Sequence, residues 1–469
     1  MSVLPEKYEA VIGLEIHVQL QTRTKMFCGC ELSFGDEPNV HTCPVCLAHP
    51  GSLPVINEQA VSYGIQIGLA LDCEIATRSI FHRKNYFYPD NPKAYQISQY
   101  DIPLGTNGRL GDVRIHRVHL EEDAAKLVHV GDSGRIHGSG TSLVDFNRGG
   151  TPLLEIVTEP DLRDPGMVRE WLQLLRSTIK ATGASDVNME EGSLRCDANV
   201  SIRPRGQDEL GVKTELKNMN SFRFIERGID AELGRQLRLL ESGEAVTQET
   251  LHFDPRSGSL TSLRSKEEAH DYRYFPEPDL VPLAPTERML AAALAALPEL
   301  PAVRETRYRD QLGLPNAQAR QLAHDDELGS YFEAAVAIGD ASPGALANWI
   351  TGVKTARDVS ARSLTALVAM VEARKITNQA GRQVLVHLAA EGGDPAEIVA
   401  REGLGLSEDA GELEAVVDRA LAALPDEAQK VSAGVGQAIG PIVGYVMREM
   451  EGRAEGSEVT RLIREKLGA

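Results

Sequence analysis

An α+β fold is predicted for this 469-residue chain, with a strand-rich amino-terminal part followed by helices to the end. Residues 1 to about 290 mix Gly and Pro with segments that alternate polar and apolar residues, the period-two signature of strands. Past Thr286 the texture changes to Ala, Leu and Val at helical spacing, punctuated by Pro315, Pro343, Pro395 and Pro425. Ten of the twelve histidines and all six cysteines precede Asp271, and only five aromatic residues follow Leu300, so the chemistry is front-loaded. These changes set three expected domains, 1–295, 296–409 and 410–469.

Taken in order, the first strand runs through Gly13 to Leu20, where alternation puts Glu15, His17 and Gln19 on one face. A carboxylate and an imidazole two residues apart on a rigid strand suit a divalent ion, although an ordinary half-exposed strand has the same pattern. Cys28-x-Cys30, twelve residues, then Cys43-Pro-Val-Cys46 is the spacing of two knuckles that converge as four thiolates on one tetrahedral Zn2+. A closed site of that kind has no open position for water, so its expected role is structural. His41 is an alternative fourth ligand, and Cys73 and Cys196 sit in apolar segments that read as core. Residues 83–93 pack Arg83, Lys84 and Lys93 among Tyr86, Phe87 and Tyr88, a composition for phosphate contact and stacking, or simply for a stiff surface hairpin.

A strand over 113–120 delivers Arg117 and His119 and then Glu121, Glu122 and Asp123 in a row. Three adjacent carboxylates repel one another, which favours a hard ion such as Mg2+ among them or a solvated acidic turn. A third alternating strand, 194–202, presents Arg195, Asp197, Asn199 and Ser201 on one face. Three polar strand faces rich in short, rigid ligands read as an open cradle. Ile225, Ile229, Leu233 and Leu237 mark a helix capped by Asn220 or Ser221 and ended by Gly243. Near the end, Pro441 opens a helix with Ile442, Val443, Val446, Met447 and Met450 on one stripe, stopped at Gly452. A last helix after Ser457 buries Val459, Leu462, Ile463 and Leu467 and leaves Arg461, Arg464 and Lys466 for solvent or phosphate.

Composition narrows the function classes. No run of about 18 apolar residues occurs, and the first residues lack the basic start and apolar stretch of a signal peptide, so a cytoplasmic protein is expected. A net charge of −19 argues against binding nucleic acid by overall attraction. Its distribution matters more: residues 391–429 hold eleven acidic and two basic residues, whereas residues 430–469 hold six basic and five acidic ones. There is no Gly-x-x-x-x-Gly-Lys loop, no Gly-x-Gly-x-x-Gly turn and no Gly-x-Ser-x-Gly elbow, so a nucleotide must be held by metal bridging and scattered cations.

Four long strings carry a resemblance: Ile12-Gly-Leu-Glu-Ile-His17-Val-Gln-Leu20, Lys84-Asn-Tyr-Phe-Tyr-Pro-Asp-Asn-Pro-Lys-Ala-Tyr-Gln-Ile-Ser98, Leu143-Val-Asp-Phe-Asn-Arg-Gly-Gly-Thr-Pro-Leu-Leu-Glu-Ile-Val157 and Asp271-Tyr-Arg-Tyr-Phe-Pro-Glu-Pro-Asp279. In these the chain resembles the B-type subunits of aspartyl/glutamyl-tRNA amidotransferases, over essentially its whole length. The resemblance implies a catalytic cradle related in fold to glutamine synthetase and the guanidino kinases, followed by a helical domain and a tail that hold tRNA. It implies an amidase A subunit that hydrolyses glutamine, a small C subunit, and ammonia passing by a channel from the amidase to this chain. ATP and Mg2+ would activate Glu or Asp on misacylated tRNA(Gln) or tRNA(Asn). Carried over by position, His17 and Glu122 resemble metal ligands with Glu15 and Glu121 beside them, and Lys84 and Lys93 match charged residues near the channel and phosphates. Arg195 and Asp197 are assigned to the nucleotide, and Cys28, Cys30, Cys43 and Cys46 match the zinc-bearing members. On this reading Glu122→Ala abolishes amidation and spares tRNA affinity. The alternative is a non-catalytic adaptor that presents tRNA to the amidase.

Overall fold

A computed structural model describes residues 4–130, 140–265, 272–406, 410–450 and 453–468. Asp271 and Gly452, which belong to the sequence motifs, lie outside these residues. The chain divides into two units, Met1–Pro301 and Ala302–Ala469. The first is the α+β part. The strands are, in chain order, β1 (Tyr8–Gln19), β2 (Glu74–Ile75), β3 (Phe81–Asn85), β4 (Tyr95–Gln99), β5 (Gly105–Leu110), β6 (Val113–Glu122), β7 (Lys126–Val130), β8 (Thr141–Asp145), β9 (Pro152–Thr158), β10 (Leu194–Pro204), β11 (Thr214–Met219), β12 (Glu249–Asp254), β13 (Ser259–Ser265) and β14 (Phe275–Pro276). Among the described residues, twelve of them form one sheet ordered β13-β12-β11-β10-β1-β9-β6-β4-β3-β14, with β5 paired to β6 and β2, and β7–β8 form a separate hairpin. All three strands expected from alternation are present, and β1 lies between β9 and β10 near the middle.

One face of the sheet is apolar because every second residue is. Leu14, Ile16 and Val18 of β1, Leu120 of β6, Ile156 of β9 and Ala198 of β10 are buried together with Ile65, Leu172 and Ile229 from the helices α1 (Glu58–Ala70), α2 (Pro165–Ala181) and α3 (Phe222–Ser242). Each fully buried aliphatic side chain contributes roughly 2 kcal/mol, so this layer fixes which face looks outward. The helix starts are written in the sequence. Asn57 accepts from Gln59 and Ala60 at the start of α1, Asp164 caps α2 ahead of Pro165, and Ser221 caps α3, which ends on Gly243 in the left-handed conformation. Gly64 lets α1 close on the sheet, since a Cβ there would stand 2.8 Å from Leu104 Cδ2.

The division falls at Pro301 because α4 (Glu287–Ala295) packs against α1 and belongs to the first unit. In the second unit, Tyr308, Phe332, Trp349, Leu364 and Val384 lie in one core, and Val417, Ile442, Val446, Val459 and Ile463 in another. The expected proline breaks are helix openings. Pro343, Pro395 and Pro425 occupy the first turn of their helices, where the missing N–H costs nothing, and Pro315 immediately precedes one.

α3 is fastened to the sheet by a buried carboxylate. Glu232 accepts from Thr214 Oγ1 at 2.7 Å, from Gln236 Nε2 at 2.8 Å and from Arg235 Nε at 2.7 Å, and Gln236 also donates to Val200 O at 3.0 Å. Glu232→Ala would strand these donors, and we expect a loss of about 3 kcal/mol in denaturant unfolding of the first unit.

Candidate functional site

The outward face of the sheet is polar by the same alternation. Strand register sets Arg195 of β10 beside His17 of β1, His17 beside Glu155 of β9, and Glu155 beside His119 of β6, which makes a row of side chains across four strands. Asp197 is paired with Glu15 one step along. Glu155 Oε2 lies 3.4 Å from both His17 Nε2 and His119 Nε2, and its other oxygen 3.4 Å from Arg117 Nη2. Glu121 reaches His17 at 3.8 Å and His119 at 3.7 Å and accepts from Ser98 Oγ at 3.0 Å. Glu15 Oε1 stands 3.7 Å from His17. Farther along the face, Lys217 Nζ holds Asp197 at 2.8 Å, and Arg195 Nη2 and Gln19 Nε2 each donate to Asp123 Oδ2 at 2.8 Å.

These charges tune one another. Burial alone would depress the His17 pKa, but the hydrogen bond and charge of Glu155, helped by Glu121 and Glu15, bring it to about 9. Burial pushes Glu155 upward, and the two imidazoles and Arg117 outweigh it and hold the carboxyl well below the usual range. Glu121 is likewise held low against its burial by His119, whereas Glu15 is raised by burial and by Glu155. Lys84 of β3 is half-buried beside Glu121, Glu155 and Tyr274, with its ammonium 4.9 Å from the centroid of the Tyr272 ring, and these neighbours raise its pKa against the effect of desolvation.

Two sets of donors are close enough to hold a cation: His17, Glu121 and Glu155, and Glu15, His17 and Asp197, each set within 4.8 Å of one another. Buried carboxylate oxygens on stiff strands fit a hard divalent ion. Asn199 Oδ1 and Arg195 Nε, on the same strand face as Asp197, are buried without a hydrogen-bond partner among the described residues, which also fits a ligand there.

Of the residues singled out from sequence, Glu15, His17, Glu121, Lys84, Arg195 and Asp197 share this face. Glu122 and Lys93 do not. Consecutive residues on a strand leave opposite sides, so Glu122 turns from His17, pairs with Lys93 and accepts from the Ile97 N–H at 2.9 Å. The expected His17–Glu122 pairing is thus not among the donor sets that the structure brings together, which group His17 with Glu121 and Glu155 and with Glu15 and Asp197. Glu155 was hidden inside Leu153-Leu154-Glu155-Ile156-Val157, which reads as a buried apolar strand. The one signal for it was the lone carboxylate itself, since a buried charge needs a partner. Lys217 and Glu215, 3.4 Å apart on β11, gave no comparable sign.

Glu122 and Lys93 line a cavity of about 210 Å³ that also touches Lys25, Cys28, Cys46 and Tyr95. Here the four cysteines converge, their sulfurs within 4.8 Å of one another, while Cys73 and Cys196 are buried elsewhere. His41 is not with them: its Nε2 sits 2.7 Å from Asp36 Oδ2. A hydrogen bond from Cys28 holds the Cys46 thiol down at about 4 and drives Cys28 upward, and burial lifts Cys30 to about 11. Convergence of four sulfurs from two knuckles fits a tetrahedral metal site.

The fold and site thus define an α+β protein with an acid-imidazole cradle whose donors lie close enough to hold a cation and, apart from it, four converging cysteines that could hold a metal. A family model described as "GatB/GatE catalytic domain" matches residues 10–291, and one described as "GatB domain" matches residues 330–467. The chain is 46% identical to the B subunit of aspartyl/glutamyl-tRNA(Asn/Gln) amidotransferase from Carboxydothermus hydrogenoformans, over 98% of this chain and 99% of the relative. It is 48% identical to the protein of the same name from Frankia casuarinae, over 98% and 96%, and 46% identical to that from Geobacter sulfurreducens, over 98% and 99%. The chain belongs to this family, the B-type subunits of tRNA-dependent amidotransferases. Among the described residues no helix is long and apolar enough to cross a membrane.

Two measurements test the site. Glu155→Gln should abolish Mn2+ binding seen by electron paramagnetic resonance, whereas Glu122→Gln should keep it. In chelator-treated protein, the same Glu155→Gln change should lower the His17 pKa below about 9, read by NMR titration. The sign follows from linkage: a raised folded pKa gives stability that is complete below the unfolded value of 6.5 and is lost as pH rises through about 9, so the stability gap between wild type and variant should close above that pH.

Proposed function

We propose that the cradle face binds ATP with Mg2+ and activates the side-chain carboxylate of Glu or Asp on misacylated tRNA(Gln) or tRNA(Asn), which ammonia from a partner amidase then converts to the amide. The observation that carries this reading is Glu155 between His17 and His119, with Glu121 and Glu15 alongside on stiff strands. A carboxylate does not accept ammonia directly, because oxide or hydroxide is a very poor leaving group. Transfer of the γ-phosphoryl group makes an acyl phosphate, and ammonia displaces phosphate from it. Phosphoryl transfer is largely positioning and charge neutralisation, and a bound divalent ion would supply the latter. His17, Glu121, Glu155, Glu15 and Asp197 would hold that ion. Lys84, Lys217 and Arg195 on the same face supply fixed cations for phosphate oxygens, and the Tyr272 ring lies beside the Lys84 ammonium.

The same reading gives the four cysteines to a structural Zn2+. It also gives the chain two partners, an amidase A subunit that hydrolyses glutamine and a small C subunit, since relatives named as one lettered component of an enzyme work in a larger assembly. In this reading 1–295 is the catalytic cradle, 296–409 a helical domain and 410–469 a tRNA-holding tail.

The test uses the assembled enzyme. With misacylated tRNA and no ammonia source, ATP cleavage should be tRNA-dependent, and hydroxylamine should trap the activated side chain as a hydroxamate. Glu155→Gln should cut both by at least about 100-fold and leave tRNA affinity within a few-fold. Wild-type assembly that amidates without tRNA-dependent ATP cleavage, or full turnover by the variant, would leave this chain as a tRNA-presenting adaptor.

A further inference from the structure

Lys25 is only 1% exposed, and lysine is almost never fully buried unless its charge is met. Among the described residues no carboxylate lies within ion-pair distance of its ammonium. Nζ instead donates to Phe146 O at 2.9 Å and reaches Cys46 Sγ at 3.7 Å. Its stem runs over Gly150, whose φ of +90° favours glycine and where a Cβ would stand 3.3 Å from Lys25 Cδ. Four thiolates around one divalent ion keep an excess of negative charge, so the cysteine cluster is the counter-charge this ammonium has.

The same residues tie the cluster to the reaction face. The knuckle segment is sewn to the turn at 145–150: Asn39 donates to Val144 O at 3.1 Å, Phe146 N donates to Asn39 Oδ1 at 2.7 Å, and His41 N donates to Asn147 Oδ1 at 2.9 Å. Met26 N donates to Gly150 O at 2.7 Å, Gly150 N to Asp123 O at 2.8 Å, and Asp123 N to Thr151 O at 2.8 Å. Asp123 is the carboxylate that holds Arg195 and Gln19 on the cradle.

We propose that Lys25 is a positioning residue that joins the four-cysteine metal site to the cradle. Its ammonium is the charge partner of the metal-bound Cys46 thiolate and clamps the 146–151 turn, so that the metal sets Asp123 and, through it, Arg195 and Gln19. The inference rests on the reading that the cysteines hold Zn2+. Neutral Lys25→Met removes the charge and keeps most of the volume, whereas Lys25→Arg keeps the charge.

The experiment starts with the zinc content of the purified full-length chain. If the wild type carries no stoichiometric zinc, the metal reading and the inference both fall. If zinc is present, folded Lys25→Met should lose about 10- to 100-fold in zinc affinity in chelator competition, the usual cost of removing an outer partner of a ligand. After Co2+ substitution its thiolate-to-metal charge-transfer band should shift, and Lys25→Arg should recover both properties. Wild-type affinity and an unshifted band in Lys25→Met would overturn the role of Lys25 and leave the zinc reading intact. Should Lys25→Met not fold, hydrogen exchange on the wild type decides: stripping the zinc should strip protection from the Gly150 and Asp123 amides while β12 and β13 keep theirs, and unchanged protection at Gly150 and Asp123 would overturn the proposal.

Discussion

A carboxylate buried between two imidazoles is the constraint around which the first unit is arranged. Glu155 loses water on a central strand, and it stays ionised because His17 and His119 stand 3.4 Å away on the strands at either side, with Arg117 beyond. Three strands must therefore keep one register. A slip of a single residue in β1 or β6 would put an aliphatic side chain against Glu155 and an imidazole into the apolar layer below. The apolar layer and the polar row thus enforce each other: Leu14, Ile16 and Val18 fix the pleat that aims Glu15 and His17, and the charges on the other face penalise any alternative pleat.

How much of this the sequence disclosed depends on how local the signal was. Alternation is local, so β1, β6 and β10 and the faces of Glu15, His17, Arg195 and Asp197 were legible, as were the Ser221 cap and the Gly243 stop of α3. The four-cysteine spacing was equally plain. What alternation could not give was which strand lies next to which. β9 is separated from β1 by more than a hundred residues, and only the antiparallel pairing of His17 with Glu155 reveals that the carboxylate in an apolar run belongs to the site. Glu122 shows the reverse case, in which a run of three acids looks like one cluster until the pleat sends its members to different sides.

The second unit shows why net charge was a poor guide. Arg461 of the last helix is paired with Glu458 at 2.7 Å and Glu465 at 2.7 Å, and Lys466 with Asp418 at 2.6 Å. Basic residues that look free in a linear reading are already neighbours of acids, and exposed pairs of this kind are worth little and open readily. Such pairs leave the cations available to a polyanion that competes for them, which is compatible with a tRNA-holding role for an acidic chain.

Because adjacent strand residues face apart, β6 is the place where two kinds of chemistry meet. Glu121 looks toward His17 and the cradle, while Glu122 looks toward Lys93 and the cavity beside the cysteines. Asp123 follows where the strand ends, with its backbone tied to Thr151 and Gly150 on the cysteine side and its carboxylate to Arg195 and Gln19 on the cradle side. Three consecutive acids therefore do three different jobs, and a change in the angle at which β6 ends would be felt on both faces at once. That shared strand end gives a physical reason for the four cysteines to lie so near a cradle face that they do not themselves enter.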